Sequence, residues 1–237
     1  MILAINQPYF LPYLGYFSLI KHSDQFILFD TPQFIRHGWI ERNRIQKQNE
    51  GTLYFRVPLV KHKRDTAIKD VKIRSNENWR FKILAQLVTY KKKAPFYSEV
   101  IELLSQIFRI ETESIVDLNR HSLQIICNYL GIKTPILVWS EMEVEIKEVQ
   151  SPDEWALNIC QALDADTYIN PRDGISFFDT KKYQVGGVEI KFLNFVPTEY
   201  KQLNDEFIPF LSVIDALMFN DKEQINKMLD NISYVES

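Results

Sequence analysis

The order of apolar runs predicts an α/β fold: a Rossmann-like, mostly parallel sheet with crossover helices and a helical insertion in the middle of the chain. Three observations carry this expectation. Two short apolar runs, at 2–5 and 26–29, flank a single helical pattern, and parallel strands require a crossover of that kind. Residues 76–131 hold three consecutive helical patterns. The last third then returns to alternating strand and helix patterns. The whole chain, 1–237, reads as one α/β domain with its insertion at about 76–131.

The elements follow in order. Residues 2–5 read as a buried strand that stops at Asn6-Gln7-Pro8. A helix is expected over 12–22, with Pro12 in its first turn and Leu14, Phe17, Leu19 and Ile20 at helical spacing. Residues 25–30 form a second buried strand ending in the carboxylate of Asp30. Residues 31–50 are polar and aromatic with few periodic signals. Strands are expected at 52–60 and, briefly, at 68–73. The insertion follows as helices at about 77–91, 96–109 and 113–130, the last stopped by Gly131. A strand at 135–139 precedes Ser151-Pro152-Asp153-Glu154, which reads as Ser at the N-cap, Pro at the first helical position and Glu closing a capping box. That helix runs to about 163. A strand at 167–170, a weak helix ending at Gly186-Gly187, a strand at 188–195 and helices at 212–219 and 223–229 complete the pattern.

Composition bounds the function classes. The chain has 237 residues, 46% apolar and 25% charged, which suffices for a core without disulfides or metals. Cys127 and Cys160 sit in apolar helical patterns and read as buried thiols; their scarcity fits a reducing, cytoplasmic setting. The start lacks a basic segment and a long apolar run, so no signal peptide or membrane span is expected. A net charge of −3 argues against a nucleic-acid partner, although residues 36–93 are locally basic. Gly-x4-Gly-Lys-[Ser/Thr], GxGxxG and GxSxG patterns are absent, and His22, His37, His62 and His121 lack zinc-ligand spacing, so no metal site is expected and the cofactor is left open.

Ligand chemistry concentrates after the strands, where α/β sheets bind ligands. The loop from Asn6 to Phe17 offers Gln7 as a two-way hydrogen-bonding group and Tyr9 as a stacking surface, beside a helix N-terminus suited to an anion. Asp30, followed by Thr31-Pro32-Gln33, stands where a general base or a hydroxyl ligand would sit. Trp39-Ile40-Glu41-Arg42-Asn43-Arg44 reads as a phosphate clamp with a stacking face, or as a solvated charged surface. Later candidates are Asn170 at a strand end, Asp173-Gly174 beyond it, Tyr200, Gln202 and Asp215. Ser212 reads chiefly as a helix cap, with Asp215 as its partner at the third helical position.

Taken together these segments resemble the WbqC-like family of bacterial proteins. The match runs through Gln7-Pro8-Tyr9-Phe10, Pro12, Gly15-Tyr16-Phe17, Ile20, Asp24, Phe26, Asp30, Gln33, Trp39, Arg42-Asn43-Arg44 and Val57-Pro58. It continues with Lys92-Lys93-Ala94-Pro95, the 129–134 segment, Tyr168-Ile169-Asn170-Pro171, Tyr200-Lys201-Gln202, Leu211-Ser212, Asp215 and Asn220. The resemblance implies a cytoplasmic step on an activated sugar in O-antigen or other surface-polysaccharide biosynthesis, such as N-acylation or aminoacylation of an amino sugar. The chain departs from the family pattern at three places. Asn6 stands where relatives often have His or Met, Asp30-Thr31 where they have Asp-Asp, and Asp173-Gly174 where they have Gly-Gly. The second change argues against a paired-carboxylate metal site.

The leading expectation is a transferase whose small-molecule partner is a nucleotide-linked sugar. Arg42 and Arg44 hold the diphosphate, with Trp39 or Tyr9 stacking. Gln7, Asn43 and Asn170 orient the sugar, and Asp30 takes a proton from the attacking amine. Gln33, Tyr200, Gln202 and Asp215 complete the binding set, and Asp30 and Gln7 are the catalytic pair. Alternatives are an ATP-dependent ligase or nucleotidylyltransferase and a non-catalytic sugar-binding or scaffold protein. A homo-oligomer is left open.

Overall fold

Residues 1–235 are described by a computed structural model. Strand β1 (Ile2–Asn6) feeds helix α1 (Leu14–Lys21), which returns to β2 (Gln25–Leu28). The chain then forms a hairpin ahead of the helical insertion, β3 (Arg42–Gln46) and β4 (Thr52–Arg56). It continues with helices α2 (Trp79–Leu87), α3 (Tyr97–Ile107) and α4 (Ile115–Leu130). The chain then alternates through β5 (Ile136–Val138), α5 (Glu154–Ala162), β6 (Thr167–Pro171), α6 (Thr180–Val185) and β7 (Glu189–Phe195). It closes with α7 (Val213–Phe219), α8 (Lys222–Leu229) and β8 (Ile232–Val235).

The main sheet has the order β5-β2-β1-β6-β7-β8, parallel except for β7 with β8. Counting only strands of this sheet in chain order, that is 3-2-1-4-5-6, the doubly wound Rossmann order. The chain leaves β1 toward β2 on one side and reaches β6 on the other. The switch point therefore falls between the carboxyl ends of β1 and β6, at Asn6 and Asn170.

The sheet is buried on both faces, which is why β1 reads as an unbroken apolar run. Ala4, Phe26, Leu28, Ile169 and Leu193 point into the larger core, shared with α1, α4, α7 and α8. Leu3, Ile5, Ile27 and Tyr168 point the other way, onto α5 and the buried Tyr183 of α6. This alternation is the two-residue period of a strand. The insertion's helices belong to the larger core: Trp79, Leu104 and Leu118 join the same cluster as Phe17 and Phe26. Cys127 and Cys160 lie buried in opposite cores, and burial pushes both thiols up to about 12.

Four local expectations change. The 31–50 segment contains β3, whose inward positions are Asn43 and Ile45; an asparagine in the core register hides the strand period. Residues 68–73 form a 3-10 turn at Ile68–Asp70 with isolated bridges, because Lys69 donates its backbone N–H to the Asp30 carbonyl instead of joining a ladder. The capping box at Ser151 does not form. Its hydroxyl donates to Asp153 and accepts from Lys182, and α5 starts at Glu154 without a side-chain cap. Strand β8, unread in the sequence, pairs with β7 as a four-residue edge. Ser114, Asp179, Ser212 and Asp221 do cap α4, α6, α7 and α8, and Gly131 closes α4 in the left-handed conformation.

Candidate substrate cleft at the sheet switch point

The loop after β1 is built by side chains from distant elements. Asn43 Nδ2 donates to the Phe10 and Leu11 carbonyls at 3.1 and 3.0 Å, while its Oδ1 accepts the Arg44 N–H at 2.9 Å. Asn119, fully buried on α4, donates to the Pro8 and Ile40 carbonyls at 2.8 and 2.9 Å. Tyr16 donates its hydroxyl to the Gln7 carbonyl at 2.7 Å. Held in this way, Leu11 adopts φ +44°, in the region that disfavours side chains.

Two cavities meet above the switch point. The polar lobe, 480 Å³, is lined by Tyr13, Trp39, Asn43, Arg44, Asp173 and Phe210, among others. The apolar lobe, 830 Å³, is walled by Phe29, Trp155, Ile159, Phe177 and Phe178. Both sizes suit small ligands. Asn6, Tyr9, Asn170 and Gly174 line both lobes and form their junction. Asn6 Oδ1 accepts the Gln7 N–H at 2.8 Å, which leaves its amide Nδ2 without a partner among the described residues. Asn170 Nδ2 donates to the Tyr168 hydroxyl at 2.6 Å. A Cβ on residue 174 would fall 2.2 Å from Asn170 Oδ1, so only glycine allows that asparagine its place.

The charges of the polar lobe are Arg44 and Asp173. Among the described residues Arg44 has no carboxylate within 4 Å, and its Nε is buried without a hydrogen-bond partner. Asp173 is the one carboxylate lining either lobe among those residues. Burial, and next the charge of Asp173, push the Tyr13 hydroxyl up to about 12; burial alone raises Tyr9. Both phenols are therefore neutral donors at ordinary pH.

The expected residues separate into groups. Tyr9, Trp39, Asn43, Arg44 and Asn170 line the polar lobe, and Gln7 lines the apolar one. Arg42 lies outside both. It donates to the His37 and Gly38 carbonyls at 2.5 and 3.3 Å and stacks over the Tyr54 ring at 4.6 Å. Asp30 is buried at the end of β2, where both its oxygens accept from Ser140, from N–H at 3.0 Å and from Oγ at 2.5 Å. Gln33 is exposed and donates to the Arg64 carbonyl at 2.7 Å. Tyr200 and Tyr90 donate to the Asp215 carboxylate at 2.8 and 2.5 Å, in the core. Gln202 clasps Ile208 through its N–H and carbonyl at 2.8 and 2.9 Å. These three residues shape the segment that carries Phe210 to the polar lobe.

Sequence reasoning included Asn6 in the first candidate loop without a role for its side chain, gave no place in the site to Asn119 or the aromatic wall, and gave no proton-accepting part to Asp173. Asn119 had a legible signal, an amide on the apolar stripe of α4. The wall had none, because Phe29, Trp155 and Phe178 come from three separate segments.

The WbqC-like protein family model matches residues 7–227, nearly the full chain and all of the lining of both lobes except Ile5 and Asn6. The chain belongs to the WbqC-like protein family. It is also similar to the uncharacterized protein Rv1507c of Mycobacterium tuberculosis (strain ATCC 25618 / H37Rv), with 30% identity over 220 residues, covering 92% of each chain. No solved structure matches. For this WbqC-like chain, the Rossmann-type order rests on its own strand topology. No helix of the described residues is long and apolar enough to cross a membrane, and no group of three or more His, Cys, Asp or Glu among them is placed to hold a metal.

Proposed function

We infer that this WbqC-like protein is a two-substrate transferase that acylates the amine of a nucleotide-linked amino sugar. One observation carries the reading: a polar lobe with an unpaired arginine and an apolar aromatic lobe open onto each other over Asn6, Tyr9, Asn170 and Gly174. Arg44 holds the acceptor's phosphates, and Trp39 and Tyr9 offer faces for stacking. The acyl group of the donor lies in the apolar lobe. At the junction the sugar nitrogen attacks the acyl carbonyl; the C–N bond forms, and the bond from carbonyl to leaving group breaks. Asn6 Nδ2 donates to the carbonyl oxygen as negative charge develops there. Asp173 accepts the amine proton and passes it to water, and the leaving group takes up a proton from water, so the carboxylate is restored and no net proton is left over.

Asp173 takes the part first expected of Asp30, whose oxygens are committed to Ser140 outside both lobes. Family membership supports placing this step in the cytoplasmic assembly of a bacterial surface polysaccharide.

The test is a thermal-shift panel of UDP- and dTDP-amino sugars. A ligand at about 100 times its Kd adds roughly 2.7 kcal/mol, or several degrees for a chain of this size. The shift should vanish in Arg44→Ala. Asp173→Asn should keep the shift and lose turnover with an acyl donor. Turnover intact in Asp173→Asn removes that residue from the mechanism, and absence of any shift removes the acceptor assignment.

A further inference from the structure

A third concavity, 720 Å³, adjoins the apolar lobe and shares Gln7, Pro32 and Ile35 with it. Its floor is made where residues 32–36 run beside 62–67. Phe34 N–H donates to the Thr66 carbonyl at 2.9 Å, Gln33 bridges Ala67, and Gln33 Nε2 reaches the Arg64 carbonyl. Its rim is cationic, with Arg36, Lys63 and Arg64. Among the described residues no carboxylate lies within 4 Å of these three side chains, not even that of the neighbouring Asp65. Three like charges brought together without a counter-charge repel one another, and a bound anion relieves that repulsion.

His62 supplies an independent observation. Its ring stands edge-on to Phe34 at 5.1 Å, and Nδ1 lies 2.9 Å from the Val60 carbonyl. A carbonyl only accepts, so Nδ1 carries a hydrogen. The other nitrogen, Nε2, is buried in the groove wall without a partner. Buried polar atoms are normally satisfied, and with the hydrogen on Nδ1 this orphan marks a place for a donor of the ligand, such as a hydroxyl or an amide N–H, beside the cations that meet its phosphate.

The order along the surface is then cationic groove, apolar lobe, junction, polar lobe with Arg44. The cationic groove shares lining with the apolar lobe and none with the polar lobe that holds Arg44, so each cationic end can serve a separate phosphate-bearing molecule. We propose that the Arg36–His62–Lys63–Arg64 groove binds the phosphate end of the acyl donor, a coenzyme-A-type thioester whose arm runs through the apolar lobe to the Asn6–Tyr9 junction. The assignment rests on the transferase reading for the identity of the arm. A groove of this volume is concave enough for a small molecule, which distinguishes it from the flat face that a protein partner covers.

The test is titration calorimetry of the full chain with coenzyme A, ATP and a UDP-amino sugar. Coenzyme A should bind, and Lys63→Glu/Arg64→Glu should weaken it about tenfold or more while leaving the UDP-amino sugar within about twofold. Arg44→Ala should show the reverse pattern. Arg36→Glu is a second groove variant, and unchanged melting temperatures verify that each variant is folded. The proposal is overturned if coenzyme A does not bind at millimolar concentration, or if its affinity ignores the groove variants. Tighter, groove-dependent binding of ATP overturns the thioester assignment in favour of a nucleotide. Groove-dependent binding of coenzyme A with no binding of any amino sugar leaves the groove standing and removes the acceptor reading alone.

Discussion

Ser212 Oγ donates a 2.7 Å hydrogen bond to the carbonyl oxygen of Leu11, 201 residues earlier in the chain. Leu11 carries the left-handed backbone that turns the first loop into the cleft, and its carbonyl also accepts from Asn43. Two buried donors from opposite ends of the chain thus hold one strained residue.

Because Ser212 and Asn43 share an acceptor, their loss should not add. Either Ser212→Ala or Asn43→Ala leaves Leu11 one donor, and each should cost about 1–3 kcal/mol. The double variant orphans the buried carbonyl, so its cost should exceed the sum of the singles by about 0.5 kcal/mol or more. Urea unfolding of the four proteins measures the coupling. Simple additivity would mean that the loop holds its shape without them.

Gly174→Ala should act on binding more than on stability. The new Cβ displaces Asn170 from its bond to Tyr168 at the junction of the two lobes. Affinity for a UDP-amino sugar should drop about tenfold, equivalent to about 1.4 kcal/mol. An unchanged affinity in a folded Gly174→Ala protein would remove Asn170 from the binding set.

Burial raises the Asp215 carboxyl above its ordinary value, and the hydroxyls of Tyr90 and Tyr200 only partly offset it. The folded state therefore holds this proton more tightly than the unfolded chain, whose value is about 3.9. The resulting stability is fully present below that value and is lost as pH rises through the folded one. Asp215→Asn lacks this dependence. Its stability relative to the parent should rise between pH 4 and pH 7, as read from unfolding curves at each pH. A constant difference would show that Asp215 titrates alike in both states.

Glu154 behaves in the opposite way. The Lys182 ammonium, 2.8 Å from it, holds its carboxyl below the ordinary value. The stability gained is present above the unfolded value of about 4.3 and is lost as pH falls through the folded one. Lys182→Met should therefore lose less stability than the parent on acidification from pH 5 to pH 3. Parallel acid profiles would show that the Ser151–Asp153–Glu154–Lys182 cluster contributes nothing through its charges.

The sequence by itself determined the parallel sheet and its crossover helices, because apolar runs and helical periods are local signals with fixed repeats. It also marked the loops after β1 and β6 as candidate ligand-binding segments, since Asn6-Gln7-Pro8 and Asn170-Pro171 stop those strands, and residues of both loops line the two lobes. Tertiary structure alone decided which of the polar residues face the cleft. Arg42 and Arg44 are two positions apart on one strand, yet Arg42 is drawn to the 37–38 carbonyls while Arg44 lines the lobe. Asp30 follows β2 by two residues and Asn170 is next to last in β6, but β2 neighbours β5, which brings Asp30 to Ser140 and away from the switch point. Hydrogen-bond partners separated by 110 or 201 residues leave no periodic trace in a sequence, so the pairing that commits Asp30 to the scaffold and leaves Asp173 in the cleft emerges only when the strands are laid side by side.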